Sequence, residues 1–134
     1  MGDRRRYRQL LEITDIALLT FDDECLLWNA NRLDEVFEHC RELGIGEVVL
    51  KRGHQPCLIE AGSGREVIAA IELPETSIVD TNAAGDSFNA GYLTGRLSGR
   101  YFPADRAALG HRIACTVIQH RGAIIPRDAM PDIA

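Results

Sequence analysis

Asp80-Thr81-Asn82-Ala83-Ala84-Gly85-Asp86-Ser87-Phe88-Asn89-Ala90-Gly91 is the stretch whose reading decides the fold. Ser77-Ile78-Val79 leads into it as an extended segment. Ala83, Ala84 and Gly85 carry almost no side chain, so a ligand can approach the backbone closely there. Beyond Asp86 the apolar residues Phe88, Tyr92, Leu93 and Leu97 recur at helical spacing, which predicts a helix from about Gly85 to Ser98. The first turn of such a helix leaves N–H groups unpaired at the positive end of the macrodipole, a ready seat for a phosphate. Asp86 sets one carboxylate beside that seat. A base next to a phosphate cradle is what phosphoryl transfer to a hydroxyl requires. Ala-Ala-Gly-Asp on its own equally describes a small-residue turn with an ordinary first-turn aspartate, so its surroundings have to decide.

Those surroundings are those of one globular domain. The chain has 134 residues, 46% of them hydrophobic, enough for a real core. A formal net charge of −5 argues against a broad nucleic-acid-binding surface. No apolar run approaches the roughly 20 residues of a membrane span, and the basic, polar N-terminus lacks the apolar segment of a signal peptide. Cys25, Cys40, Cys57 and Cys115 are widely spaced, with no Cys-x-x-Cys pair, which points to reduced thiols in a cytoplasmic protein and away from a zinc site. No Gly-x-x-x-x-Gly-Lys-[Ser/Thr] occurs, so a P-loop mechanism is excluded.

Upstream, Asp3 to Glu12 reads as a helix with Arg4, Arg5, Arg6 and Arg8 on a solvated side. Ile16 to Thr20 suits a buried parallel strand. Phe21-Asp22-Asp23-Glu24 follows its C-terminal end; the three carboxylates fit either a magnesium site or an acidic helix start. Asn31 is placed to cap the next helix, whose apolar face is Leu33, Val36, Phe37, Cys40 and Leu43 and whose stop is Gly44. Glu47 to Lys51 is a second buried strand, and strand–helix–strand predicts a right-handed parallel crossover. Lys51-Arg52-Gly53 leaves that strand at the end where ligands bind in open α/β sheets; Lys51 fits a phosphate contact or a surface lysine. Pro56–Glu60 and Glu66–Ala70 flank Gly62-Ser63-Gly64 as an antiparallel hairpin.

Downstream, Gly91 and Gly95 share one face of the signature helix, and a glycine in mid-helix costs about 1 kcal/mol against alanine. Close packing of that face on the sheet would offset the cost. Pro103 opens a last long helix whose inner face includes Ala107, Ala108, His111, Ala114 and Ile118. Arg121-Gly122-Ala123 follows as a loop, and Ile124-Ile125-Pro126 as a short extended tail.

Asp-Thr-x-Ala-Ala-Gly-Asp-Ser-Phe-x-Ala-Gly-Tyr-Leu closely resembles the second signature of the PfkB (ribokinase-like) carbohydrate kinases, whose general form is Asp-Thr-x-Gly-Ala-Gly-Asp-x-Phe. Ala83 stands where most members have glycine, and it resembles the branch acting on 2-keto-3-deoxygluconate, as does Gln119-His120-Arg121-Gly122-Ala123-Ile124-Ile125-Pro126-Arg127. The resemblance runs from about Ile13 to Pro131 and covers only the C-terminal part of the family fold. It implies an α/β chain, the C-terminal portion of a three-layer α/β/α fold with a mostly parallel sheet and an added antiparallel hairpin. By the same resemblance Asp86 is the catalytic base, and Ala83, Ala84 and Gly85 form an anion hole for the ATP phosphates. Lys51, Gly53 and His111 fall at nucleotide-side positions, although Pro56 replaces a second loop glycine, and His111 equally suits a packed histidine. Glu24 matches a glutamate that helps organise magnesium through water, ahead of Asp22 and Asp23, although Phe21 replaces the family's asparagine. Asp80 and Gly122 match a monovalent-cation site that many members use for an ion such as potassium.

The expected reaction is transfer of the ATP γ-phosphoryl group, with Mg2+, to a hydroxyl of a sugar acid. Members of the family are longer, and a preceding half carries most sugar contacts and a β-sheet lid. This chain alone is therefore expected to have little or no kinase activity. The alternatives are a non-catalytic nucleotide-binding module that associates through an exposed sheet edge, as a homo-oligomer or with a missing N-terminal half, and a dinucleotide-binding oxidoreductase domain. The second lacks its Gly-x-Gly-x-x-Gly fingerprint.

Overall fold

The computed structural model describes residues 3–62, 64–100 and 102–133. The chain divides into two compact units that meet in sequence at Val67 and Ile68.

The first unit opens with helix α1, Arg4–Leu11, capped by the Asp3 carboxylate, which accepts the Arg5 and Arg6 backbone N–H groups. Strand β1, Ile16–Thr20, passes directly into helix α2, Phe21–Trp28, so the acidic run Asp22-Asp23-Glu24 occupies a first helical turn. That placement suits the macrodipole. Asn29 ends α2 in the left-handed region at φ 57°. Helix α3 spans Leu33–Glu42. Asn31 does not cap it: the N-cap is Arg32, and the Glu35 carboxylate reaches back to accept the Asn31 backbone N–H at 2.7 Å. Among the described residues no side chain caps the first-turn amides of α3; the glutamate instead ties down the N–H one residue before the cap. Gly44, at φ 80°, breaks the helix as expected.

Strands β2, Glu47–Arg52, β3, Gln55–Ala61, and β4, Gly64–Ile68, complete a four-stranded sheet in the order β1-β2-β3-β4. β1 and β2 run parallel, with Thr20 opposite Lys51; β2 and β3 run antiparallel, with an irregularity between Leu50 and Arg52. The sheet is thus mixed, because Gly53 and His54 close a two-residue turn between β2 and β3 that no crossover could replace. The hairpin strand expected over Glu66–Ala70 starts and ends two residues earlier, at Gly64 and Ile68. Ala17, Leu19, Val48, Leu50 and Leu58 form one core with Leu11, Val36, Phe37 and Cys40, and Tyr7, Phe21 and Trp28 pack against it. At the rim Arg65 bridges Asp34 and Glu60 and lies 4.2 Å from the Phe37 ring centroid, tying α3 to β3 and β4.

The second unit holds two long helices, α4, Ala84–Leu97, and α5, Pro103–Ile118. The segment expected to be extended at Ser77–Val79 is so at Ile78, but it joins no strand and Ser77 belongs to a turn. A single 3-10 turn over Glu75–Ser77 comes first, and the Val79 and Asp80 N–H groups then both donate to the Ile118 carbonyl, at 2.8 and 3.1 Å. Val79 and Asp80 thus satisfy their amides on the end of a helix instead of a neighbouring strand, after Ser77 and Ile78 have closed theirs within the turn. The glycine face of α4 is filled by α5: a Cβ on Gly91 would fall 2.8 Å from the Gly110 Cα, and one on Gly110 would fall 2.9 Å from the Phe88 ring and carbonyl. The mid-helix glycines therefore serve a helix–helix contact, not the helix-on-sheet contact expected. Leu109, Ile113, Val117 and Ile125 form a small core beneath α5. Beyond it Ile124 to Pro126 bends into a 3-10 turn at Arg127–Ala129 in place of an extended tail.

Candidate active site

Sequence-predicted site residues gather at the start of α4. Asp80 anchors the turn that precedes the helix. Its Oδ1 accepts the Asn82 N–H at 2.9 Å, and its Oδ2 accepts the Gly122 N–H at 2.8 Å. With the two bonds to Ile118, the turn is fastened to the far end of α5 at three points. These amides hold the Asp80 carboxyl below its ordinary range. Gly122 takes φ 83°, which orients its N–H toward Asp80.

Ala83 adopts φ 59°, in the left-handed region, immediately before the helix. That conformation accounts for the glycine this position carries in the signature's general form, since only glycine adopts it without strain. The Ala84 N–H is spent on the Thr81 carbonyl at 3.3 Å, so Ala84 offers less to an anion than expected. The Ser87 N–H closes the first helical bond, to the Ala83 carbonyl, at 2.9 Å. Among the described residues no protein acceptor meets the N–H groups of Ala83, Gly85 or Asp86. The Asp86 side chain is exposed in that first turn. Three open amides at a positive helix end, beside an exposed carboxylate, can hold a phosphate and accept a proton close to it.

His111, on α5, packs against α4. It is 8% exposed, stands edge-on to Phe88 with ring centroids 5.0 Å apart, and its Nε2 is buried without a partner. Burial lowers its basicity. The folded chain therefore binds fewer protons than the unfolded chain, and stability should be intact above about pH 6.5 and fall as pH drops through the folded-state value. Chemical denaturation of His111→Leu is expected to lose less stability than the parent between about pH 8 and pH 5.

In the first unit Lys51 is half-buried in β2, opposite Thr20, and Gly53 takes φ 62° in the hairpin turn. Glu24, by contrast with the exposed Asp22 and Asp23, is only 2% exposed, and the Tyr7 hydroxyl donates to its Oε1 at 2.6 Å. Burial raises its carboxyl above the ordinary range, against a weaker lowering by that phenol. Trp28 and His39, with rings 4.2 Å apart, line a cavity of about 180 Å3 together with Ala30 and Val36. Its carboxylate, Glu35, is engaged by Asn31 and Arg32, so the cavity offers no free charge. Among the described residues no group of three or more His, Cys, Asp or Glu side chains could hold a metal ion, and no helix is long and apolar enough to cross a membrane.

Residues 1–130 match the pfkB family carbohydrate kinases. The chain belongs to that family. It is 52% identical over 126 residues to the 2-dehydro-3-deoxygluconokinase of Escherichia coli K12, covering 93% of this chain and 40% of that protein. It is 50% identical over 129 residues to the enzyme of the same name from Dickeya dadantii, covering 96% of this chain and 41% of the relative. Among solved structures it is similar to a putative ribokinase II from E. coli in complex with ATP and Mg2+, with a TM-score of 0.78 and 23% identity over 97% of this chain and 40% of that one. The pfkB chain described here thus spans about 40% of the length of the curated relatives it matches. Its architecture is that of ribokinase-like kinases.

Sequence reasoning missed two participants. Tyr7 gave no signal, because a tyrosine on the apolar side of a helix reads as core. Gly110 did give one: a glycine in the middle of a long helix calls for a close neighbour.

Proposed function

We propose that this chain is the nucleotide side of a kinase that transfers the γ-phosphoryl group of ATP to a hydroxyl of 2-keto-3-deoxygluconate, giving the 6-phosphate. The observation that carries the proposal is the open start of α4, where the Gly85 and Asp86 N–H groups lack protein acceptors beside the exposed Asp86 carboxylate. The substrate is chosen by the chain's similarity to relatives that are 2-dehydro-3-deoxygluconokinases.

In this reading Asp86 accepts the hydroxyl proton while the sugar oxygen bonds to the γ-phosphorus and the bond from that phosphorus to the bridging oxygen breaks, releasing ADP. The Ala83, Gly85 and Asp86 amides take the charge that builds on the moving phosphoryl group, with Ala84 in a lesser part. Lys51, Gly53 and His111 lie on the nucleotide side in this reading, His111 from within the α4–α5 packing. Magnesium, when bound with ATP, shields the phosphate charge; the phosphates supply its ligands in this reading. Asp80 and the Gly122 carbonyl are the positions for a monovalent cation such as K+, each Asp80 oxygen keeping a lone pair beyond its amide bond. The sugar contacts come from outside these 134 residues, so the chain by itself turns over little or no sugar, and the working protein is cytoplasmic.

Calorimetry of the chain with MgATP tests the nucleotide half. Saturable binding that Gly85→Pro weakens at least tenfold is the expected result, since proline deletes one cradle N–H. Binding that is absent, or indifferent to that change, removes the proposal. A non-catalytic association module is the second reading; it would show self-association or complementation without nucleotide binding.

A further inference from the structure

The resemblance assigns Glu24 to magnesium, and its surroundings do not fit that role. A carboxylate that organises a metal, directly or through water, presents its oxygens to solvent and carries its charge cheaply. Glu24 does neither: it is 2% exposed, whereas Asp22 and Asp23 in the same turn face solvent. One of its oxygens is taken by a phenol at 2.6 Å. That phenol belongs to Tyr7, whose ring packs against the first unit's core and lies 5.8 Å from the Trp28 ring centroid.

We infer that Tyr7 and Glu24 form a latch that fastens α1 to α2, and that Glu24 is a structural acid withheld from metal. Among the described residues, the other side-chain bonds of α1 and its caps stay within residues 3–14: Asp3 with Arg5 and Arg6, Arg8 with Glu12, and Thr14 with the Leu10 carbonyl. The Tyr7–Glu24 bond is thus the directed polar link from α1 to the rest of its unit, with hydrophobic contact supplying the remainder. An eight-residue helix is too short to persist without such docking. The environment is also tuned to a pair: each partner alone would be a polar group in an apolar site, whereas together they satisfy one another.

A thermodynamic cycle on the whole 134-residue chain tests this, with urea unfolding of the parent, Tyr7→Phe, Glu24→Met and the double variant. Tyr7→Phe strands the carboxylate and Glu24→Met strands the phenol, so each should lower the folding constant by roughly 10- to 100-fold. Removing both leaves nothing stranded. The double variant should therefore be at least tenfold more stable than the product of the two single losses allows, and it keeps the test readable should Tyr7→Phe fail to fold. Amide exchange over residues 4–11 should quicken in Tyr7→Phe ahead of exchange in β1 and β2. In parallel, free Mn2+ is followed by electron paramagnetic resonance against the parent and Glu24→Gln. Equal uptake in the two proteins, including none in either, is the expected result. Strictly multiplicative single losses, or Mn2+ affinity that falls tenfold or more in Glu24→Gln, would overturn the latch. Neither arm needs ATP or sugar, so the inference and the kinase reading fail separately.

Discussion

Asp86→Asn, introduced into a protein that joins these 134 residues to a sugar-binding portion, is expected to lower turnover of 2-keto-3-deoxygluconate by about 100- to 10,000-fold, the usual worth of a positioned general base. Asparagine fills the same volume and leaves the backbone N–H of residue 86 in place, so the anion seat survives while the proton acceptor is lost. MgATP affinity should stay within about twofold or tighten, because a negative charge has been removed from beside a phosphate. A fall in kcat with nucleotide affinity kept marks a group that acts in the transition state. Unchanged turnover would deny Asp86 the base role, and an equal loss of nucleotide binding would recast it as a scaffold for the turn.

The second large effect is on stability. Gly91→Ala should improve the intrinsic helix propensity of α4 by about 1 kcal/mol. It should nonetheless destabilise the chain, because the new Cβ would sit 2.8 Å from the Gly110 Cα and 3.1 Å from the Leu109 carbonyl oxygen. Those are backbone atoms of α5, which give way only if the two helices separate. Overpacking of this kind costs about 1–3 kcal/mol, and Gly91→Val, with two further methyl groups, belongs at or above the upper end. Gly95→Ala is the control. Its new methyl would meet the Arg100 Cδ at 3.2 Å, a side chain that can move, and the Arg106 Cα at 3.3 Å, a backbone contact that needs only a few tenths of an ångström, far less than the 2.8 Å clash at Gly91. Urea unfolding should rank the parent and Gly95→Ala close together, Gly91→Ala below them and Gly91→Val lowest. A Gly91→Ala protein as stable as the parent would mean that the helices do not cross this closely.

Helices were legible in the sequence wherever periodicity and punctuation agreed, as in α3 between its apolar repeat and Gly44, or α5 after Pro103. The same holds for the start of α4, where small residues and a capping geometry without a side-chain cap all favour exposed amides. What could not be read was which partner each element would choose. Ser77-Ile78-Val79 has strand composition, yet the Ser77 and Ile78 amides close a local turn and those of Val79 and Asp80 go to one carbonyl at the end of α5, a long-range choice that no local pattern carries. Gly91 announced a close neighbour without naming Gly110. Asn31 has the composition of a cap, yet the helix starts one residue later, after Arg32, and its own N–H is held by Glu35. Glu24 illustrates the same limit: three acidic residues in a row look alike in a sequence, and only the fold separates the one turned inward toward Tyr7 from the two turned out.

The methyl group of Ala83 carries a final implication. Held at a positive φ, it makes the folded loop slightly uncomfortable, but it also denies the unfolded chain many of the shapes a glycine would sample. The two contributions oppose each other at about 1 kcal/mol apiece, so net folding energy changes little. What changes is the breadth of the resting ensemble: the turn before the signature helix has fewer poses to wander through, so under the proposed reading a polyanion would meet a seat already shaped to receive it.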